Sequence, residues 1–238
     1  MVLDLEQVVS RRAPTVRVSL GVGVACACAL GVLTLAVVGH GGVLTGWDDD
    51  VHAWVVGVRG SVDVAVANAV TIGGVTTWTL PAVGVVGALA LPGRRSVRAR
   101  LGAGLLLAAV ASAGVYVGLL VNHATGRARP PEVDWAGAAG GPSFPSGHTT
   151  TATLVALCAA WALSARVTGT RRRRLLWAGA AAYALAVGWS RVWLGVHWPS
   201  DVVGGWLFAT AWCAVAVAVA SWWRERGDDR DSPGAHDG

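Results

Sequence analysis

The chain has 238 residues, of which 54% are hydrophobic and 14% charged, with a formal net charge of +5. Soluble domains carry about 25% charged residues, so this composition excludes a water-soluble globular domain and leaves room for one helical membrane bundle with short tails. The positive charge does not point to nucleic acid: all nineteen basic residues are arginine, and they cluster beside apolar runs, as membrane topology demands.

Residues 1–15 form a polar tail with Arg11 and Arg12. Val16 to Val38 is apolar apart from Arg17, long enough to cross a bilayer, and closed by no A-x-A cleavage pattern. It reads as a retained first span entering from the cytoplasm. His40 to Asp63 is a polar interlude. There Asp48-Asp49-Asp50 is expected to cap a short helix through Arg59. Val51, Trp54, Val55 and Val58 recur at helical spacing and place that helix along the membrane surface. The three aspartates are read as a solvated cap, because no EF-type ligand spacing follows.

Val64 to Leu91 is the second span, interrupted by Gly73-Gly74 and Pro81. A basic loop, 92–100, contains Arg94, Arg95, Arg98 and Arg100, and Leu101 to Val121 is the third span. Asn122 to Pro145 is the longest polar insertion. Ser146 to Ala165 is the fourth span, followed by Arg166 and Arg171–Arg174. Leu175 to Trp193 and Pro199 to Trp223 are the fifth and sixth. Residues 224–238 are charged and expected to be a disordered tail. Cys26, Cys28, Cys158 and Cys213 lie inside apolar spans and read as small buried hydrophobes, with neither a disulfide nor a zinc site expected.

The expected architecture is therefore all-α: a six-transmembrane-helix bundle over residues 16–223, with tails 1–15 and 224–238 both cytoplasmic. The arginines support it. Fifteen of nineteen (Arg11, Arg12, Arg17, Arg94, Arg95, Arg98, Arg100, Arg166, Arg171–Arg174, Arg224, Arg226 and Arg230) fall on the side of the termini, and four (Arg59, Arg127, Arg129 and Arg191) on the other. That is the positive-inside bias. Three of the four exceptions lie beside histidines and need another explanation.

The six-span order brings segments 122–130, 143–149 and 190–201 to one outer face. They supply Arg127, Arg129, Arg191, His148, His197 and Asp201. Clustered guanidiniums repel unless an anion neutralises them, and their forks match phosphate oxygens. Pro145 suits the first position of a helix and would aim the amides around Ser146 and Gly147 at the same face. Pro199 would place Asp201 in the first turn of the last helix. A histidine beside phosphorus can act as nucleophile, and a second can protonate the leaving oxygen and later activate water. Asp201, four residues after His197, can orient it, whereas His148 has no acid nearby in sequence and suits the acid–base role. His40, His52 and His236 are read as having no part in the site, and His123 is left open.

Arg129-Pro130, Pro145-Ser-Gly-His148 and Ser190-Arg191 followed by His197 and Asp201 resemble the three-part signature of the type 2 phosphatidic-acid phosphatase superfamily. The resemblance spans residues 98 to 215. It implies a metal-independent membrane phosphatase, with no cofactor, acting on a lipid phosphomonoester or pyrophosphate through a phosphohistidine at the extracytoplasmic rim. It implies His197 as nucleophile, Asp201 as its orienter and His148 as leaving-group acid. Arg129, Arg191, Ser146 and the Gly147 amide would hold the phosphate. Where the family's first motif opens with lysine, this chain has Asn122, and Arg127 is a candidate to supply the missing charge. The alternatives are a lipid-phosphate binding or transport protein without turnover, which Asn122 keeps in play, and a haloperoxidase holding vanadate, which the apolar spans disfavour.

Overall fold

A computed structural model describes residues 13–39, 45–91, 93 and 95–230. Arg11, Arg12, His40, Arg94 and the end of the chain with His236 lie outside them. Eight α-helices and two short 3-10 turns make up the described fold: α1 (Ala13–Gly39), α2 (Thr45–Val58), α3 (Ser61–Thr71), a 3-10 turn (Ile72–Gly74), α4 (Thr76–Ala90), α5 (Val97–Thr125), a 3-10 turn (Glu132–Asp134), α6 (Gly147–Leu163), α7 (Thr170–Trp193) and α8 (Pro199–Arg230).

The helices follow the apolar runs, and their surfaces show what solvates them. On α1, Val18, Val24, Val32 and Leu35 each expose more than 60% of their area. A helix apolar all round and packed on one neighbour belongs in hydrocarbon. α1, α5 and α8 are each long and apolar enough to cross a membrane, and the pair α3 and α4, bent by 53° at the 3-10 turn, passes the same test together. The protein is a multi-pass membrane protein. The stretch read from the sequence as a single second span is thus two helices, bent where Gly73-Gly74 interrupts it. α6 has 17 residues, and α7 opens on Arg171–Arg174. α8 continues to Arg230, past the Arg224 boundary expected for the tail.

α6 is the central element, packed against α4, α5, α7 and α8. Its Leu154 and Cys158 join Val83 of α4, Leu107 and Ala111 of α5, and Ala209 and Cys213 of α8 in the main apolar core. At one end of this core the two basic loops meet, where Arg166 donates to the Leu91 carbonyl at 2.6 Å. At the other end α5 and α7 terminate, α6 and α8 begin, and the short α2 packs across α7 and α8. The polar segments of the sequence converge at that second end.

Candidate active site

The last turn before α8 sets the site. Gly195, at φ +69°, reverses the chain after α7, and a Cβ there would meet the Asp134 carbonyl oxygen at 2.5 Å. Only glycine takes both the left-handed backbone and that contact at low cost. Arg59 at the end of α2 donates to the same carbonyl. Leu194 accepts from the Ala136 amide at 2.9 Å. The long insertion between α5 and α6 is thereby stitched to the turn that carries His197.

Pro199 is the first residue of α8, as expected, and Asp201 lies in its first turn, fully buried. Asp201 Oδ2 accepts from the Trp198 amide at 2.9 Å and lies 3.2 Å from His197 Nδ1. On its other side, His197 Nε2 is 2.8 Å from Arg129 Nη1. A guanidinium can only donate, so Nε2 is the acceptor and Nδ1 carries the proton shared with Asp201. The imidazole is therefore neutral, with its Nε2 lone pair turned away from Asp201 and toward Arg129. Burial, followed by the charges of Arg129 and Arg191, holds the His197 pKa well below its ordinary value. Burial also lowers that of Arg129, against the opposing pull of Asp201.

His197, Arg129, Arg191, His148, Gly147 and Asn122 all line one cavity of about 430 Å³. Its remaining wall is largely apolar, with Val75 and Val115 among the lining residues. Arg191 is 2% exposed and donates to Thr71 Oγ1 at 2.9 Å and to the Ala138 carbonyl at 3.2 Å. Among the described residues its Nε, like Thr150 Oγ1 in the same wall, is buried with no hydrogen-bond partner. Unpartnered buried polar atoms beside a cavity are open to a ligand. Gly74 explains how α6 comes so near the α3–α4 break: a Cβ there would lie 2.7 Å from His148 Cβ and 2.8 Å from the His148 carbonyl oxygen.

Several residues sit differently from the sequence reading. α6 starts at Gly147, with Ser146 as its N-cap and Pro145 before that, joined to Phe144 by a cis peptide. The Ser146 amide donates to the Asp201 carbonyl at 3.0 Å, its hydroxyl receives Thr149 Oγ1 at 3.0 Å, and the residue is wholly buried outside the cavity lining. Gly147 is exposed and does line the cavity. Arg129 gives Nε and Nη2 to the carbonyls of Gly141, Gly140 and Pro142, so it clamps the loop as well as facing His197. Asn122 donates to the Pro142 and Pro145 carbonyls at 3.0 and 3.2 Å, which ties the same loop to the end of α5.

Arg127 requires a correction. Its guanidinium does not line the cavity: Nη1 meets Asp201 Oδ1 and Ser200 Oγ, each at 2.6 Å, and Nη2 meets Asp48 Oδ2 at 2.7 Å. Two carboxylates hold its fork away from any phosphate. Asp48 corrects the reading of a solvated acidic cap: Asp49 and Asp50 are exposed, but Asp48 is fully buried. One signal was available, because Asp48 stands four and seven residues before the buried His52 and Val55, on one helix face. His52, read as having no part in the site, lies outside the cavity lining, buried and 3.0 Å from Asp134 Oδ2. His123 is exposed and outside the cavity lining.

The geometry can be set beside known proteins. A family model described as the PAP2 superfamily matches residues 102–225. The chain is 35% identical over 127 residues to a decaprenylphosphoryl-5-phosphoribose phosphatase of Mycolicibacterium smegmatis, covering 52% of this chain and 61% of that one. It is 37% identical over 117 residues to a lipid A 1-phosphatase of Rhizobium johnstonii, covering 44% and 43%. It is also 42% identical over 85 residues to phosphatidylglycerophosphatase B of Escherichia coli, covering 35% and 30%. In these three the chain spans between 30% and 61% of the relative's length. Among solved structures, a transmembrane PAP2-type phosphatidylglycerolphosphate phosphatase from Bacillus subtilis superposes with a TM-score of 0.72. That match covers 90% of this chain and 98% of that one, at 23% sequence identity, and shares the fold.

Proposed function

The chain belongs to the PAP2 superfamily, and from that premise we propose that it is a lipid phosphate phosphatase working through a phosphohistidine. The observation that carries this reading is the state of His197: Nδ1 held by Asp201, and Nε2 unprotonated at a cavity wall, accepting from Arg129. A neutral imidazole so oriented is a nucleophile.

In the proposed reaction a lipid phosphate enters with its phosphoryl group between Arg129, Arg191 and the Gly147 amide. Arg129 Nη1 leaves the His197 lone pair for a phosphate oxygen. His197 Nε2 attacks phosphorus, the P–O bond to the lipid breaks, and protonated His148 delivers its proton to the leaving oxygen. The negative charge of the incoming phosphate favours that protonated form. Water then attacks the phosphohistidine, giving its proton to His148 as the P–N bond breaks, and inorganic phosphate leaves. Asp201 stabilises the charge that develops on the imidazole. Guanidiniums, imidazoles and a helix amide supply the electrostatic stabilisation, so the reaction is written without a metal.

The apolar wall formed in part by Val75 and Val115 suits the start of an acyl or prenyl chain. The three related phosphatases act, by their names, on phosphates of lipids, which supports the same substrate class here. We place the site at the extracytoplasmic rim of a six-span bundle, on the arginine asymmetry of the sequence. Asn122 favours a second reading, a binding or transport protein without turnover, because the family's lysine position carries here an uncharged loop latch.

The deciding experiment is phosphate release by the purified protein with chelator present, from phosphatidate, phosphatidylglycerol phosphate and a polyprenyl pyrophosphate. Release that His197→Ala abolishes supports the enzyme. Tight binding of those lipids without release supports the second reading.

A further inference from the structure

Asp48 lies outside the residues that the family model matches, yet it is bonded to the residues that hold Asp201. Its Oδ2 accepts from Arg127 Nη2 at 2.7 Å and from Ser200 Oγ at 2.5 Å, and its Oδ1 accepts from the Ser200 amide at 3.0 Å. Arg127 in turn bonds Asp201 Oδ1 at 2.6 Å and Ser200 Oγ at 2.6 Å. All three charged side chains are fully buried. One guanidinium thus bridges two carboxylates, with Trp198 packed 5.7 Å from its centre.

We propose that Asp48, acting through Arg127, is a positioning residue that sets the strength of the Asp201–His197 hydrogen bond. The inference rests on His197 being the nucleophile. Asp201 has two oxygens with separate duties: Oδ2 faces His197, and Oδ1 faces Arg127. Were Arg127 paired with Asp201 alone, its full charge would draw electron density and proton affinity from the carboxylate. The Nδ1–H bond would weaken and Nε2 would become a poorer nucleophile. Asp48 takes half of the fork and supplies the second negative charge. In a buried site, where charges interact far more strongly than in water, that balance matters. The amide and hydroxyl of Ser200 fix the distance between α2 and the first turn of α8.

Neither Asp48 nor Arg127 lines the cavity, so the expected signature is confined to chemistry. Asp48→Asn keeps the shape and removes the charge. Its per-site kcat should fall about 30-fold while KM stays within about twofold, the pattern of a contact that matters only in the transition state. Adding Asp48→Asn to Arg127→Gln should cost less than about twofold more, because a residue acting through another has nothing left to act on. Ser200→Ala, which keeps both charges, should lower kcat about threefold and serves if Asp48→Asn cannot be purified folded. A substrate-free readout separates this inference from the functional reading: the N–H proton and 15N resonances of the His197 ring, assigned by their loss in His197→Ala. The wild type should show a strongly downfield Nδ1–H proton, the mark of a strong bond to Asp201, and Asp48→Asn the same tautomer with that proton moved upfield, because Arg129 still donates to Nε2. An unchanged Nδ1–H shift in Asp48→Asn, or a full additive loss in the double variant, overturns the inference. Absence of phosphate release by the wild type, with the Nδ1–H shift change present, overturns the functional reading alone.

Discussion

Arginines occupy both ends of this bundle, and their surroundings differ. At the end bearing His197, Arg127 and Arg191 are buried and Arg129 is half-buried, each bonded to side chains or carbonyls from at least two segments. At the other end, Arg95, Arg98, Arg166 and Arg171–Arg174 are exposed, and Arg166 and Arg173 reach only the backbone carbonyls of Leu91 and Ser164. The second arrangement serves topology, which needs charge outside the hydrocarbon and no particular geometry. The first costs desolvation that topology cannot justify, and it persists where buried carboxylates or an incoming anion compensate. Arg127 has the carboxylates; Arg129 and Arg191 border the cavity.

The strongest way to break that contrast is to remove the group on which the site end converges. His197→Ala should lower phosphate release by at least about 10⁴-fold, since loss of a nucleophile leaves only binding and electrostatic stabilisation. Circular dichroism should remain unchanged, and an alkaline detergent quench, which preserves the acid-labile phosphohistidine, should trap phosphoprotein in the wild type and none in the variant. Retention of activity would remove the basis for treating this end as catalytic.

Arg191→Lys comes next. The guanidinium reaches Thr71 and the Ala138 carbonyl with its two terminal nitrogens and leaves Nε for a ligand. An ammonium cannot span those acceptors. A loss of about 10²-fold in kcat/KM is expected, the usual effect of removing one donor to developing charge. A change under about threefold would mean that Arg191 only supports the Thr71 contact.

Gly74→Ala tests whether the site depends on the α3–α4 break. The added methyl would overlap His148 Cβ and its carbonyl, both backbone-proximal and unable to rotate away. His148 should move by tenths of an ångström, and kcat should fall about tenfold. Helix content should hold. Gly93, at positive φ but with nothing near its Cβ position, lies at the opposite end. Gly93→Ala carries only backbone strain, about 1 kcal/mol, and should leave kcat unchanged.

These positions also show what the sequence made legible. The apolar runs gave the helices because hydrocarbon length and helix rise are fixed quantities. His197 and Asp201 were readable as a pair because they are four residues apart and the helix starts at the proline between them. Arg127 was not. It stands two residues from Arg129, yet faces a different partner set, because the direction of a side chain in an irregular loop depends on contacts from distant elements. Its carboxylates come from Asp48 and Asp201, 79 and 74 residues away. The bend at Gly73-Gly74 was visible as an interruption, but its angle depends on α6 packing into the notch. The pairing of Asp48 required knowing that α2 crosses the start of α8, which no local pattern encodes.

The smallest expected effect concerns pH. An exposed histidine titrates near pH 6.5, and a nucleophile with that value would lose activity through pH 6. His197 differs in its surroundings: it is buried, and Arg129, Arg191 and Arg127 all oppose a positive imidazole. Each pushes its pKa down, so the neutral form persists as pH falls. A hydrogen bond with the Ser143 backbone opposes that shift in part, while Asp201 faces the ring from α8 and His148 borders the same cavity from α6. The acid limb of kcat/KM, which reports the free enzyme, should therefore lie below pH 6.5 once the substrate's own ionisation near pH 6 is subtracted. Because the phosphoryl group brings negative charge beside the ring, the limb of kcat should sit at higher pH than that of kcat/KM. Exposed arginines at the far end, Arg166 or Arg171, should move neither limb when changed to glutamine, since a Debye length of about 10 Å screens them from the site. A kcat/KM limb at pH 6.5, or one displaced by Arg166→Gln, would mean that the two ends are not electrostatically distinct.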